Sequence, residues 1–186
     1  MQIRYGRVEL KRITELTVAD WRLMHAFFRD RELADWNGAR PVRLPLWLFK
    51  RILLEEEQAG DKWGFGIYTE GRLIGSVELY HLQPAFPVQP TQGTLGIMIG
   101  DRTLLGHGYG REALMALAVY AFQQLQPPLD RIRLTTFLHN VRAQRCFARV
   151  GFQVKSHAQK GDSTSVNMEL TRLDFLKQLQ SGGEVL

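Results

Sequence analysis

Residues 104–122 read LLGHGYGREALMALAVYAF, three glycines in five residues followed at once by an apolar helical pattern. No other stretch limits the possible folds as strongly. A helix start leaves its first backbone N–H groups without intrahelical acceptors. The helix dipole adds partial positive charge at the same end. Glycines allow positive φ and remove side chains that would block a close approach. Together these features make a seat for phosphate. An ordinary strand-to-helix loop uses glycine too, so the stretch alone leaves both readings open. It is not a P-loop, because no Gly-Lys-Ser/Thr follows, and the G-x-G-x-G spacing is a poor dinucleotide fingerprint.

The rest of the chain supplies the frame. VELKRIT (8–14) alternates and reads as a strand. TVADWRLMHAFFRD (17–30) reads as a helix capped by Thr17 or Asp20, with Trp21, Met24, Phe27 and Phe28 on one face. DWNGARPVR breaks it, and LPLWLFKRILLEEEQAG forms a second helix that stops at Gly60. KWGFGIYTEGRLIGSVELYHL reads as a hairpin turning at Glu70–Gly71. QPAFPVQPTQG is proline-rich and reads as a loop before the strand TLGIMIG. REALMALAVYAFQQL, starting near Arg111, is a helix with Ala113, Leu114, Leu117, Ala118, Ala121 and Leu125 inward. A strand in PPLDRIRLTTFL, a short helix in NVRAQRCFARVGF ending at Gly151, a final hairpin and a frayed tail SGGEVL complete the pattern. Strands, hairpins and helices therefore mix. They imply an α/β fold of the α+β kind, a mostly antiparallel mixed sheet with helices on both faces. The 186 residues fit a single domain, its core spanning about 8–175.

Composition narrows the chemistry. The single cysteine, Cys146, excludes an internal disulfide and a cysteine-built metal site, and it fits a reducing cytoplasm. The opening MQIRYGRVELKR has no apolar signal core, and no apolar run approaches the roughly 20 residues of a membrane helix. The net charge of +5 suits an anionic ligand such as a phosphorylated cofactor, ribosomal RNA, or simply a solvated surface. The lack of a basic tail or an aromatic–basic stripe counts against nucleic acid. Oligomeric state stays open between monomer and homodimer.

LGHGYG (105–110) resembles the acetyl-CoA pyrophosphate loop of the GNAT acyltransferases, Gln/Arg-x-x-Gly-x-Gly/Ala. Gly108 and Gly110 fill the small-residue positions, and Leu105 replaces the usual Gln or Arg. NVRAQRCFARVGF (140–152) resembles that family's Asn-x-x-Ser/Ala…Gly-Phe helix. LKRITELTVADWRLMHAFFRDRELADWNG and GDSTSVNMELT resemble the opening and closing segments of its RimJ/RimL branch, which acetylates ribosomal-protein N-termini. The resemblance implies a GNAT fold and direct transfer of an acetyl group from acetyl-CoA to an amine. A protein or peptide N-terminus, possibly ribosomal, is the first-choice acceptor. A small-molecule amine such as an antibiotic or polyamine is the alternative, and a non-catalytic acyl-CoA-binding module is a further one.

The resemblance also assigns roles. Backbone groups of Ile97, Met98 and Ile99 pair with the pantetheine arm and supply an oxyanion donor, while their side chains pack in the core. Leu105, Gly106, His107, Gly108, Tyr109 and Gly110 hold the diphosphate through main-chain amides. Asn140 contacts the pantetheine arm or simply caps its helix. Arg145, and similarly Arg142, meets cofactor phosphates or faces solvent.

The usual catalytic groups are missing: Thr94 stands where many relatives carry the base, and Ala143 and Phe147 where they carry the acid. Glu78, sharing a strand face with Ser76 and Tyr80, is the substitute base, or else a solvent-facing strand Glu. His81 and His107 are further candidate proton carriers by residue type, although His107 belongs to the cofactor loop. Cys146 reads as a buried small apolar residue rather than a nucleophile. An α-amine with a pKa of about 8 needs little help from a base. Trp36 and Phe86 are candidate acceptor-groove residues, and the three Glu residues of LLEEEQ read as a charged helix face.

Overall fold

A computed structural model describes residues 3–60, 62–82, 91–160 and 163–181. Its eight strands are β1 (Ile3–Tyr5), β2 (Val8–Arg12), β3 (Lys62–Thr69), β4 (Arg72–Tyr80), β5 (Gln92–Ile99), β6 (Arg131–Phe137), β7 (Gln153–Lys160) and β8 (Ser163–Thr171). Its helices are α1 (Val18–Arg29), α2 (Arg31–Trp36), α3 (Leu46–Gln58), α4 (Tyr109–Val119), α5 (Val141–Val150) and α6 (Arg172–Ser181). One sheet runs β1-β2-β3-β4-β5-β6-β8-β7, antiparallel throughout except for the parallel β5–β6 pair. The expected mixed sheet with helices on both faces is the observed architecture.

Two hydrophobic clusters cover the two faces. Val77 and Leu79 of β4, Leu95 of β5, Ile132 and Leu134 of β6 and Val166 and Met168 of β8 point to the α4 side. There α4 lays Ala113, Leu114, Leu117, Ala118 and Ala121 into the core, all essentially inaccessible, as the periodicity predicts. Opposite, Trp21 and Met24 of α1 and Phe49 of α3 pack on Tyr68 and Leu73, with Phe27 and Phe28 at their edge. Thr17 caps α1, its hydroxyl accepting from Asp20 N–H, and Asp20 closes the box on Thr17.

Several expectations are corrected. The chain does not simply break after α1: Asp30 accepts from Leu33 N–H and starts α2, which buries Leu33 and Ala34. Strand β5 begins at Gln92, inside the segment read as loop, because residues 92–94 gain a partner in β6. Helix α4 begins at Tyr109, not Arg111, because Gly108 in the left-handed region is its N-cap. Its last turn widens over Tyr120–Gln124, where Leu125 N–H reaches Tyr120 O. Strand β1 and helix α6 carry no sequence-level expectation; β1 pairs with β2, and Phe175 of α6 packs on Phe122. Residues 83–90, with Phe86, and residues 182–186 of the expected tail lie outside the described residues.

Candidate functional site

Strand β5 is gripped along one edge only. On the β4 side it pairs from Tyr80↔Thr94 to Gly75↔Ile99. On the β6 side it pairs only at Gln92↔Arg131, Gly93↔Ile132 and Thr94↔Arg133. Beyond Thr94 the strands diverge, and β6 continues with β8 alone from Leu134 to Phe137. Ile97, Met98 and Ile99 flank this fork, each half-buried. Among the described residues no strand pairs with their backbone on the β6 side, so it can pair with an extended ligand as a sheet edge does.

The glycine turn sits at the end of the same strand. A short 3₁₀ turn at Arg102–Leu104, capped by Asp101, leads into it. Gly106 has φ 82° and Gly108 φ 93°, both left-handed. Glu112 N–H donates to Gly108 O, so Tyr109, Gly110 and Arg111 form the first turn of α4. Their N–H groups lack intrahelical acceptors, and Gly108 has no side chain to cap them. Gly110 is buttressed from behind: a Cβ there would lie 3.6 Å from Cys146 Sγ and 3.8 Å from Ile99. The exposed His107 ring lies against the loop's own backbone, its Nδ1 3.1 Å from Leu105 O. These uncapped amides, with the dipole behind them, fit a diphosphate.

Beside the fork lies Glu78. Alternation on β4 sends Val77 and Leu79 to the α4 side and leaves Ser76, Glu78 and Tyr80 half-buried on the other. Glu78 pairs in register with Gly96, two residues past the last β5–β6 pair. A Cβ at Gly96 would lie 3.0 Å from Glu78 Oε1, so the carboxylate lies across β5 where the wedge opens. Lys62 Nζ sits 2.8 Å from Glu78 Oε2 and 3.0 Å from Glu56. Burial pulls the Lys62 ammonium down, but Glu78 and then Glu56 outweigh it, so Lys62 holds its proton above the ordinary lysine value. Glu78 is therefore neither buried nor simply solvent-facing; it is one-third exposed and ion-paired. Burial, with Glu78 nearby, likewise raises the Tyr80 phenol.

Helix α5 closes the other side of the wedge. Asn140 caps it, Oδ1 accepting from Ala143 N–H at 3.2 Å while Nδ2 donates to Trp36 O at 3.4 Å. Of its two expected roles, the structure displays the cap. Arg142 stacks over the Trp36 ring at 4.4 Å instead of facing the turn. Arg145 is exposed on the same helix, Ala143 and Phe147 pack against the core, and neither of the latter carries a proton to give. Burial pushes the Cys146 thiol up, and Arg149 and Arg111 offset only part of that, so it stays protonated and poorly nucleophilic.

Trp36 thus packs between α2 and α5 rather than standing free. Arg102, after β5, binds Asp30 and Glu32 at the α1–α2 joint. A Cβ at Gly38 would lie only 2.3 Å from the edge of the Phe137 ring at the end of β6. The 30–38 segment therefore straps across the fork from one diverging strand to the other. At the opposite, paired end of β5 and β6, His81, Gln92, Gly93, Thr94 and Arg133 line a cleft of about 240 Å³. Lys62 and Arg133 are features that the sequence reading missed, whereas Trp36 on the strap was among its acceptor-groove candidates. Among the described residues, no group of three His, Cys, Asp or Glu side chains is placed to hold a metal, and no helix is long and apolar enough to cross a membrane.

A family profile described as Acetyltransferase (GNAT) domain matches residues 7–153. No curated protein sequence matches the chain significantly. Among solved structures, the chain is similar to a spermidine N-acetyltransferase from Vibrio cholerae in complex with CoA and spermine. The TM-score is 0.77 at 18% identity, covering 91% of this chain and 98% of that one. It is also similar to an aminoglycoside acetyltransferase in complex with coenzyme A, with TM-score 0.70, 22% identity and coverage of 91% and 98%. A GNAT-family acetyltransferase from Bacillus anthracis gives 0.72, 16%, 93% and 99%. At these identities the structures speak to the fold.

Proposed function

This chain belongs to the GNAT acetyltransferase family, and from that premise we propose that the β5–β6 fork and the turn at 105–110 form its donor site, with Glu78 as the proton acceptor beside it. It is an N-acetyltransferase that moves an acetyl group from acetyl-CoA to an amine. The observation that carries the site reading is the short β5–β6 pairing, three residues long, with the uncapped start of α4 at the end of the diverging strand. In this reading Leu105, Gly106, His107, Gly108, Tyr109 and Gly110 present amides to the diphosphate. Ile97, Met98 and Ile99 offer main-chain groups to the pantetheine arm and an N–H to the carbonyl oxygen. Arg145 stands on the exposed flank for a phosphate, and Asn140, which gives one Nδ2 hydrogen to Trp36 O, has a second to offer the arm. Acetyl-CoA supplies an acyl group activated as a thioester. The amine nitrogen must arrive neutral, and Glu78 takes the proton it sheds. Lys62 holds that carboxylate in place.

For the acceptor we favour the α-amine of a peptide or protein N-terminus, the activity of the RimJ/RimL branch. The pairing of the acidic side chains on α2, α3 and β4 supports this. Glu56 and Glu78 are paired with Lys62, Glu55 with Arg51, Glu57 with Arg12, and Asp30 and Glu32 with Arg102. A polycation needs carboxylates free to meet it, whereas an α-amine carries one charge and deprotonates near pH 8. Polyamines and aminoglycosides are the second reading, favoured by the structural relatives that act on them. The test follows thiol release from acetyl-CoA with three acceptor sets: peptides with free N-termini, the same peptides N-terminally blocked, and spermidine with an aminoglycoside. Turnover with free peptides alone supports the first reading. Turnover confined to the third set replaces it with the second. Binding of coenzyme A with no turnover on any set would overturn both and leave an acyl-CoA-binding module.

A further inference from the structure

The tight turn between β1 and β2 touches the glycine turn from outside the sheet. Gly6 adopts φ 57°, and a Cβ there would meet the Glu112 carboxylate at 2.7 Å, so glycine lets the turn come this close without displacing that side chain. The next residue, Arg7, binds three parts of the donor loop. Its main-chain N–H donates to Glu112 Oε2 at 2.7 Å and its Nε to Glu112 Oε1 at 3.0 Å. Its Nη2 donates to the carbonyl oxygen of His107 at 2.8 Å. Its guanidinium lies 4.2 Å above the Tyr109 ring.

Two consequences follow from elementary geometry. A trans peptide is planar, with its C=O and N–H pointing in opposite directions. Fixing His107 C=O on Arg7 therefore aims Gly108 N–H away from the β1–β2 turn, toward the open side of the loop. Secondly, Glu112 places a carboxylate in the first turn of α4, where it opposes any incoming anion. The fork of Arg7 occupies both of its oxygens and neutralises it.

We propose that Arg7 is a positioning residue for donor binding: it orients the Gly108 amide through the His107 carbonyl and cancels the Glu112 charge at the mouth of α4. This rests on residues 105–110 being the diphosphate seat. Arg7 touches neither the thioester region nor Glu78, so its effect belongs to affinity for the nucleotide half of acetyl-CoA.

The test is coenzyme A titration and steady-state kinetics on the full chain. Arg7→Ala raises the CoA Kd and the acetyl-CoA KM about tenfold to a hundredfold, the range of a lost charged hydrogen-bond set, with kcat and acceptor KM within about twofold. Arg7→Lys falls between, because an ammonium keeps the charge but loses the fork. The double variant Arg7→Ala/Glu112→Gln regains part of the loss, because the carboxylate is gone. If Arg7→Ala folds poorly, the Arg7→Lys affinity decides. Unchanged CoA affinity in a folded Arg7 variant overturns the proposal, even if its Tm drops. Gly108→Val separates the two levels. If it abolishes CoA binding while Arg7 variants do not, only the role of Arg7 fails. If neither changes affinity, the diphosphate seat itself is misplaced.

Discussion

The Glu78 carboxylate rests over Gly96 while Lys62 holds its other oxygen. A base at this position acts on the acceptor nitrogen and not on the donor's nucleotide. Glu78→Gln is therefore expected to lower kcat on the order of 10²-fold, the lower end of general-base contributions, with acetyl-CoA KM unchanged; kinetics at saturating acceptor check it. Equal activity in the Gln variant would return Glu78 to the role of a surface strand residue. Lys62 makes a separate claim, on stability. Its folded pKa lies above the ordinary 10.5. A raised cation pKa stabilises the fold fully below the unfolded value and loses that contribution as pH rises through the folded one. Lys62→Met is expected to lose ~1–2 kcal/mol, between an exposed and a buried pair. In urea titrations that gap stays constant from about pH 7 to 9 and closes above the unfolded lysine pKa of about 10.4. Tyr68, whose phenol burial also raises, titrates in both proteins alike.

At the scale of elements, the glycine turn distinguishes two positions. Both Gly106 and Gly108 need positive φ, but a Cβ at Gly106 meets nothing within 4 Å, whereas one at Gly108 comes within 3.3 Å of Arg7 Nη2. Gly106→Ala is thus expected to leave CoA affinity within a few-fold, at a strain of about 1–2 kcal/mol. Gly108→Val forces a β-branched residue into the left-handed region and pushes it against Arg7, distorting the turn, and is expected to reduce affinity more than 10²-fold, of the order of losing two charged hydrogen bonds, while far-UV circular dichroism stays native. Isothermal titration with coenzyme A reads both. Elements with strong local signals were legible: α1 from its capping box, α4 and α5 from their periodicity and glycines, the β3–β4 hairpin from Glu70–Gly71. What escaped depends on distant partners. Strand β1 exists only because β2 lies beside it, and α2 because Asp30 caps it and Arg102 anchors it. The ion pair at Glu78 was hidden by a bulge. Counted back from the turn, Lys62 would face Leu79 in the core; the register shift at Ile67/Tyr68 pairs it with Tyr80 and turns it onto the Glu78 face. No local pattern marks that shift.

Across the molecule, the sheet consists of two halves, β1 to β5 and β6 with β8 and β7, joined through three paired residues. What else links them is side-chain packing: α4 against α5, and the strap from Arg102 over to Phe137 and Asn140. A ligand in the fork would add backbone bonds to β5 and engage the start of α4, stiffening this short seam of the sheet. Ligand that binds only the folded state adds about 2.7 kcal/mol at a hundredfold excess over Kd. For a chain of this length that raises Tm by roughly 5–10 °C. The location of the effect is the sharper prediction. On adding coenzyme A, amide hydrogen exchange is expected to slow at Ile97–Ile99 and at 106–111, with little change in the β1–β2 or β7–β8 strands. Slowing spread evenly over the chain would mean global stabilisation without a seat in the fork. Slowing confined to the cleft at His81 and Arg133 would move the donor to the other end of β5. Either pattern would break the link between the diverging strands and the chemistry assigned to them.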